Sequence, residues 1–216
     1  MKGLSMYKSI NLRDKIRKSH IIGQHCQRNY DLTKSIPQED IDLIIHAATQ
    51  CPSKQNLDFY SLYAIQDREK ITNIYNSTIT AKGRKNPQVL GQLLLVFVSN
   101  PNLVSFNDRN QESRDLQCHD KFNNNFTDLI VDMHQAIGVA AGFVNITSSL
   151  MGYRTGCCKC FDITKVKETL NLNDNQEPIL MMGIGIKDES RNRRSEHFTD
   201  QIIDTFEKIP IQVHQF

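Results

Sequence analysis

Apolar positions along this chain switch between helical spacing and short unbroken runs, which predicts a mixture of helices and strands. Asn11 to Gln27 reads as a polar helix with Leu12, Ile16 and Ile21-Ile22 on one side, ending in the set Gln24-His25-Cys26-Gln27-Arg28-Asn29-Tyr30. Ile41, Ile44, Ile45 and Ala48 recur at helical spacing in a second helix, and Cys51-Pro52 stops it. Its start carries Ser35 three residues before Gln38, the form of a capping box, with Pro37 in the first turn. Leu57 to Ile65 is rich in strand-favouring residues, Glu69 to Thr78 reads as a helix, and Ala81 to Gln88 as a basic loop. The run from Leu93 to Val98 predicts a strand buried on both faces.

Asn100 to Asn125 is highly polar and predicts an irregular segment, after which Phe126 to Met151 has the spacing of a long, largely buried helix. Gly138, Ala140, Ala141 and Gly142 thin its middle, which points to close approach by another backbone, either in the core or across a dimer. The helix breaks at Gly152. Further on, Lys165 to Leu170 predicts a short helix, Pro178 to Ile186 a buried strand, and Phe198 to Ile203 another helix. The tail Ile209 to Phe216 alternates like an edge strand seeking a partner. No linker or repeat interrupts the pattern, so one domain over residues 1–216 is expected.

Composition narrows the class. With 39% apolar and 23% charged residues among 216, the chain has the balance of an ordinary globular domain. A formal net charge of +2, with cations dispersed, argues against a general nucleic-acid binder and suits a small anionic ligand. Residues 1–7 lack the apolar core of a secretory signal, and no stretch approaches a membrane span. The six cysteines do not make paired C-x2-4-C knuckles, so no zinc site is expected and a reduced, cytoplasmic setting is. No G-x-G-x-x-G follows a strand, which leaves a Rossmann-bound nicotinamide unsupported.

Two donor-rich turns follow packed helices: Cys51-Pro52-Ser53-Lys54-Gln55-Asn56 and Gly156-Cys157-Cys158-Lys159-Cys160-Phe161-Asp162. A basic element lies near each end of the chain, at Arg28 and at Arg191-Asn192-Arg193-Arg194. In order, spacing and residue type these elements resemble the nitroreductase family of flavin-dependent oxidoreductases. The resemblance implies an α+β fold, a mainly antiparallel sheet flanked by helices with a long central helix, in a homodimer with its sites at the interface. It places Gln24, His25, Cys26, Arg28 and Tyr30 on the family's early motif, which holds the FMN phosphate and the pyrimidine side of the ring. Pro52, Ser53, Lys54 and Asn56 match the turn that reaches the flavin of the other subunit, and Lys82, Arg84, Lys85 and Asn86 fall near the ring or substrate entrance.

By the same resemblance Cys157, Cys158, Lys159 and Cys160 lie on a loop along the flavin N5 edge, where a backbone N–H, nearest Lys159, bonds N5. Arg191 and Arg193, or Arg194 by a one-residue shift, match a C-terminal basic pair. A cation such as Arg28 beside the N1 and O2 edge stabilises reduced flavin, and no titrating side chain is needed as a catalyst. The implied activity is reduction of a nitroaromatic, quinone or related acceptor with NAD(P)H by a ping-pong route. Gln24, Cys26 and Cys160 depart from the family pattern, so two other readings stand beside it: a member that binds flavin or another ligand without turnover, and a metal-stabilised binding protein using the cysteines.

Overall fold

The unbroken apolar run forms strand β2 (Leu93–Ser99), and its successive side chains point to opposite faces of the sheet. Leu93, Leu95 and Phe97 join one core cluster while Leu94, Val96 and Val98 join another, which is why no polar residue interrupts the run. The computed structural model describes residues 11–81, 83–100, 126–190 and 210–215. Among these, β1 (Tyr60–Ile65), β2, β3 (Arg154–Cys158) and β4 (Pro178–Gly185) form one sheet in the order β1-β2-β4-β3, every pair antiparallel.

Five α-helices are described: α1 (Leu12–Gly23), α2 (Gln38–Thr49), α3 (Arg68–Ser77), α4 (Phe126–Leu150) and α5 (Ile163–Leu170). One cluster packs Ile41, Ile44 and Ala48 of α2 and Ile137, Ala140 and Val144 of α4 on the Phe97 face. The other packs Ile71 and Ile74 of α3 and Val166 of α5 on the Val96 face. Phe97 is fully enclosed and meets Tyr60 edge-on, with ring centroids 5.3 Å apart. Asp67 and Asp162 cap α3 and α5 by accepting from Lys70 N and Lys165 N. Asn171 closes α5 in the left-handed conformation, and Gly152 (φ 92°) does the corresponding work after α4.

Several expectations change. The Ser35 capping box does not form, because Pro37 itself occupies the cap position of α2, and the Gln38 amide donates to Asp42 Oδ1 at 2.8 Å instead. The apolar positions of α1 do not make its buried face: Leu12 and Ile21 are exposed, and Ser19 is the side chain that α1 buries. Helix α4 spans the expected residues but is buried on one side only. Ile130, Val131, Val139 and Phe143 are exposed, and a Cβ added at Gly138 or Gly142 would meet nothing within 4 Å. Cys157 and Cys158 stand in β3 rather than on a loop. Residues 210–215 are exposed and in no strand, while the polar segment 101–125, Lys82 and the helix expected at 198–203 lie outside the described residues.

Candidate functional site

Two glycines make the site possible. Gly156 of β3 and Gly183 of β4 are directly paired across the sheet, leaving a patch without side chains. The short 3-10 turn Pro87–Val89 lies on that patch so closely that a Cβ at Gly183 would stand 2.0 Å from the Gln88 carbonyl oxygen. At Gly156 an added Cβ would come within 2.7 Å of the Gln27 carbonyl oxygen and 3.0 Å of Gln88 Cβ. Three stretches distant in sequence are thereby pressed together: residues 24–30, residues 86–89, and the end of β3.

Hydrogen bonds fix the first stretch. Helix α1 ends at Gly23 with Gln24 as its cap, and its terminal carbonyls are satisfied from outside by Asn145 Nδ2 on Gly23 O (2.9 Å) and Arg154 Nη1 on Ile22 O (3.3 Å). Thr155 Oγ1 donates to Asn145 Oδ1 at 2.6 Å, and Gln27 N donates to Thr155 O at 2.7 Å, so the segment after α1 is tied to both α4 and β3. Tyr30 is buried with its hydroxyl 3.1 Å from Gln88 O and 3.3 Å from Gly183 O. Gln24, His25, Cys26 and Arg28 are half-buried along this segment.

Asn86, also buried, caps the 3-10 turn by accepting from Gln88 N at 3.2 Å. Its Nδ2 donates to Cys158 Sγ and Cys160 Sγ, each at 3.1 Å, and the two sulfurs are 3.3 Å apart. With its amide oriented by its partners, Gln88 accepts from Arg28 Nη2 at 3.0 Å and donates to Cys157 O at 2.5 Å. Arg28, Asn86 and the cysteines therefore belong to one cluster.

Three ionisable groups of this cluster are shifted toward their neutral forms. A hydrogen bond with the Cys26 thiol, then burial, pushes the Cys157 thiol up. Burial first, and the Cys160 thiol next, pushes Cys158 up to about 12. Burial likewise raises the Tyr30 phenol well above its ordinary value, with Cys26 and Cys157 adding to it and Arg28 opposing. No group of three or more His, Cys, Asp or Glu side chains among the described residues could hold a metal ion.

The Pro52 turn is built elsewhere in the chain. Ser53 Oγ donates to Leu57 O at 2.8 Å, and Lys54 pairs with Asp132 of α4 at 2.5 Å. Asn56 adopts φ 57°, a left-handed conformation that asparagine tolerates better than most residues. Thr49, Cys51, Ser53, Asn56, Asp58 and Tyr60 contribute to the lining of a cavity of about 230 Å³ beside it. Lys159 is exposed just beyond β3. Arg191, Arg193 and Arg194 lie outside the described residues. Gln88 was not among the residues expected from sequence, although Asn86-Pro87 ahead of it has the form of a capped turn and Gly183-Ile184-Gly185 in an apolar strand marks close backbone approach.

A profile of the Nitroreductase family matches residues 21–186. A comparison with curated proteins found no match. Among solved structures, a nitroreductase family protein from Clostridium novyi NT superposes with a TM-score of 0.61 at 19% identity, covering 84% of this chain and 87% of that one. Nitroreductase A from Vibrio parahaemolyticus gives 0.61 at 18% identity, with 93% and 79% covered. The NADPH:FMN oxidoreductase of Vibrio harveyi, complexed with NAD+, gives 0.63 at 17% identity, with 94% and 78% covered. The fold is theirs, and the profile spans most of the chain: this protein belongs to the Nitroreductase family.

Proposed function

We propose that this chain is an FMN-dependent oxidoreductase, a single-domain unit over residues 1–216 that works as a cytoplasmic homodimer. The observation that carries the reading is the convergence of residues 24–30, Asn86 and the end of β3 over the Gly156–Gly183 pair. The Arg28 guanidinium and the backbone N–H groups of these stretches are a donor set that suits an anionic ligand, and the Tyr30 phenol and Cys157 thiol of the cluster are neutral at pH 7.

In this assignment Gln24, His25, Cys26 and Arg28 hold the phosphate and pyrimidine side, and Asn86 lies near the ring. The backbone of Cys157, Cys158, Lys159 and Cys160 supplies the N–H for the N5 edge. Arg191 and Arg193 complete the phosphate contacts, and Pro52, Ser53, Lys54 and Asn56 serve the site of the second subunit. FMN bound there supplies a two-electron carrier between NAD(P)H and a nitroaromatic, quinone or related acceptor. The dimer is supported by the bare side of α4, where Val131, Val139 and Phe143 flank two glycines that leave room for another backbone.

Donor and acceptor would use the site in turn. Steady-state kinetics with NADH or NADPH and a quinone should therefore give parallel double-reciprocal lines; intersecting lines would refute the shared site.

A further inference from the structure

The cysteine cluster holds a feature that flavin binding does not require. Cys158 and Cys160 sit on either side of Lys159 with their sulfurs 3.3 Å apart, and the single Asn86 amide donates to both. A disulfide is about 2.05 Å long, so closure needs about 1.3 Å of approach between sulfurs already in contact. Cys160 lies beyond the last residue of β3, and its carbonyl accepts from Ile79 N at 2.9 Å, so the backbone stays anchored and the approach falls to rotation of the two side chains. The two positions differ in access: Cys158 is 2% exposed and Cys160 is half-buried.

We propose that Cys158 and Cys160 form a redox-active dithiol that exchanges with low-molecular-weight disulfides. In the first step the Cys160 thiolate attacks one sulfur of the small disulfide, forming a mixed disulfide and releasing one thiol. In the second, Cys158 loses its proton and attacks Cys160 Sγ, releasing the other half of the reagent as a second thiol. Two electrons pass from the protein to the small disulfide, and the two protons leave on the released thiols. Burial and the raised pKa of Cys158 favour this order, since the more accessible sulfur meets the reagent and the enclosed one resolves it. The inference stands without the flavin assignment.

The test uses the purified full chain, reduced, desalted, and exposed to hydroxyethyl disulfide before acid quenching, alkylation and trypsin digestion. Cleavage after Lys159 separates residues 155–159 from 160–165, so the two fragments stay together only through a disulfide to Cys160. The expected result is joined fragments with two thiols lost, from the six of the wild type and equally from the five of Cys157→Ser. Cys158→Ser should instead keep a stable mixed disulfide on Cys160, and Cys160→Ser should not join the fragments. The proposal is overturned by separate fragments with both thiols alkylated, by a persistent adduct on wild-type Cys160, or by a bond to Cys157 or Cys26 instead.

Discussion

Replacing Gly183 with Ala tests how the site is assembled. The added methyl would lie 2.0 Å from the Gln88 carbonyl oxygen and 3.1 Å from Gln88 C and Val89 Cα, whereas ordinary contact begins near 3.4 Å. These are backbone atoms, so no side-chain rotation relieves the clash, and the turn carrying Asn86 and Gln88 has to retreat by about 1.4 Å. Overpacking of this kind costs about 1–3 kcal/mol. Retreat also takes the Gln88 carbonyl away from the buried Tyr30 hydroxyl, adding about 1–2 kcal/mol. A total loss of about 2–5 kcal/mol is a large share of the stability of a typical domain. The chain has no tryptophan, so urea unfolding is best followed by far-UV circular dichroism. Lys70→Ala, on the exposed face of α3, is the control and should stay within about 0.5 kcal/mol of wild type. A Gly183→Ala variant within about 0.5 kcal/mol of wild type would refute the argument that the bare glycine pair seats the turn.

Arg28→Ala should weaken FMN retention and lower the flavin reduction potential together; full retention at an unchanged potential would remove Arg28 from the site. Gly138→Leu should leave the chain folded but weaken self-association at least tenfold in sedimentation, and an unaffected dimer would place the interface elsewhere. Tyr153, whose hydroxyl donates to Asp40 Oδ2 at 2.5 Å, is pushed up to about 12 by burial first and by Asp40 second. Its folded pKa exceeds the ordinary value near 10, so its contribution is complete below about pH 10 and lost as pH rises toward 12. Tyr153→Phe should cost about 1 kcal/mol at pH 7, with the gap to wild type closing through that window; a gap that does not change with pH would contradict the assignment.

Much of the fold was legible because burial repeats at short range. Strand β2 declared itself by an apolar run that both helix layers cover, and α2 by isoleucines on one face. The boundaries of α4 were readable from Phe126 and from the break at Gly152, but its exposed side was not. An apolar helix looks the same in sequence whether a core or a second subunit covers it. Strand β3 has the sequence of a loop, because Thr155-Gly156-Cys157-Cys158 carries little apolar alternation. Gly156 is there for the backbone that lies on it, a long-range reason that local pattern does not carry. The same holds for the site: Arg28, Asn86 and the cysteines could be named as candidates, whereas their meeting through Gln88 depends on the glycine pair of two strands. The Ser35 box failed for a local reason, since Pro37 in the cap position gives the helix start a fixed backbone without a side-chain acceptor.

The central claim is that these residues hold a working flavin, and the visible spectrum of the purified protein under anaerobic conditions tests it most directly. Non-covalent FMN should be present near one per subunit, bleached by NADH or NADPH and recoloured by a nitroarene or quinone. Protein that takes up no FMN even when it is supplied would contradict the assignment of the site, and bound FMN that neither nicotinamide bleaches would contradict turnover.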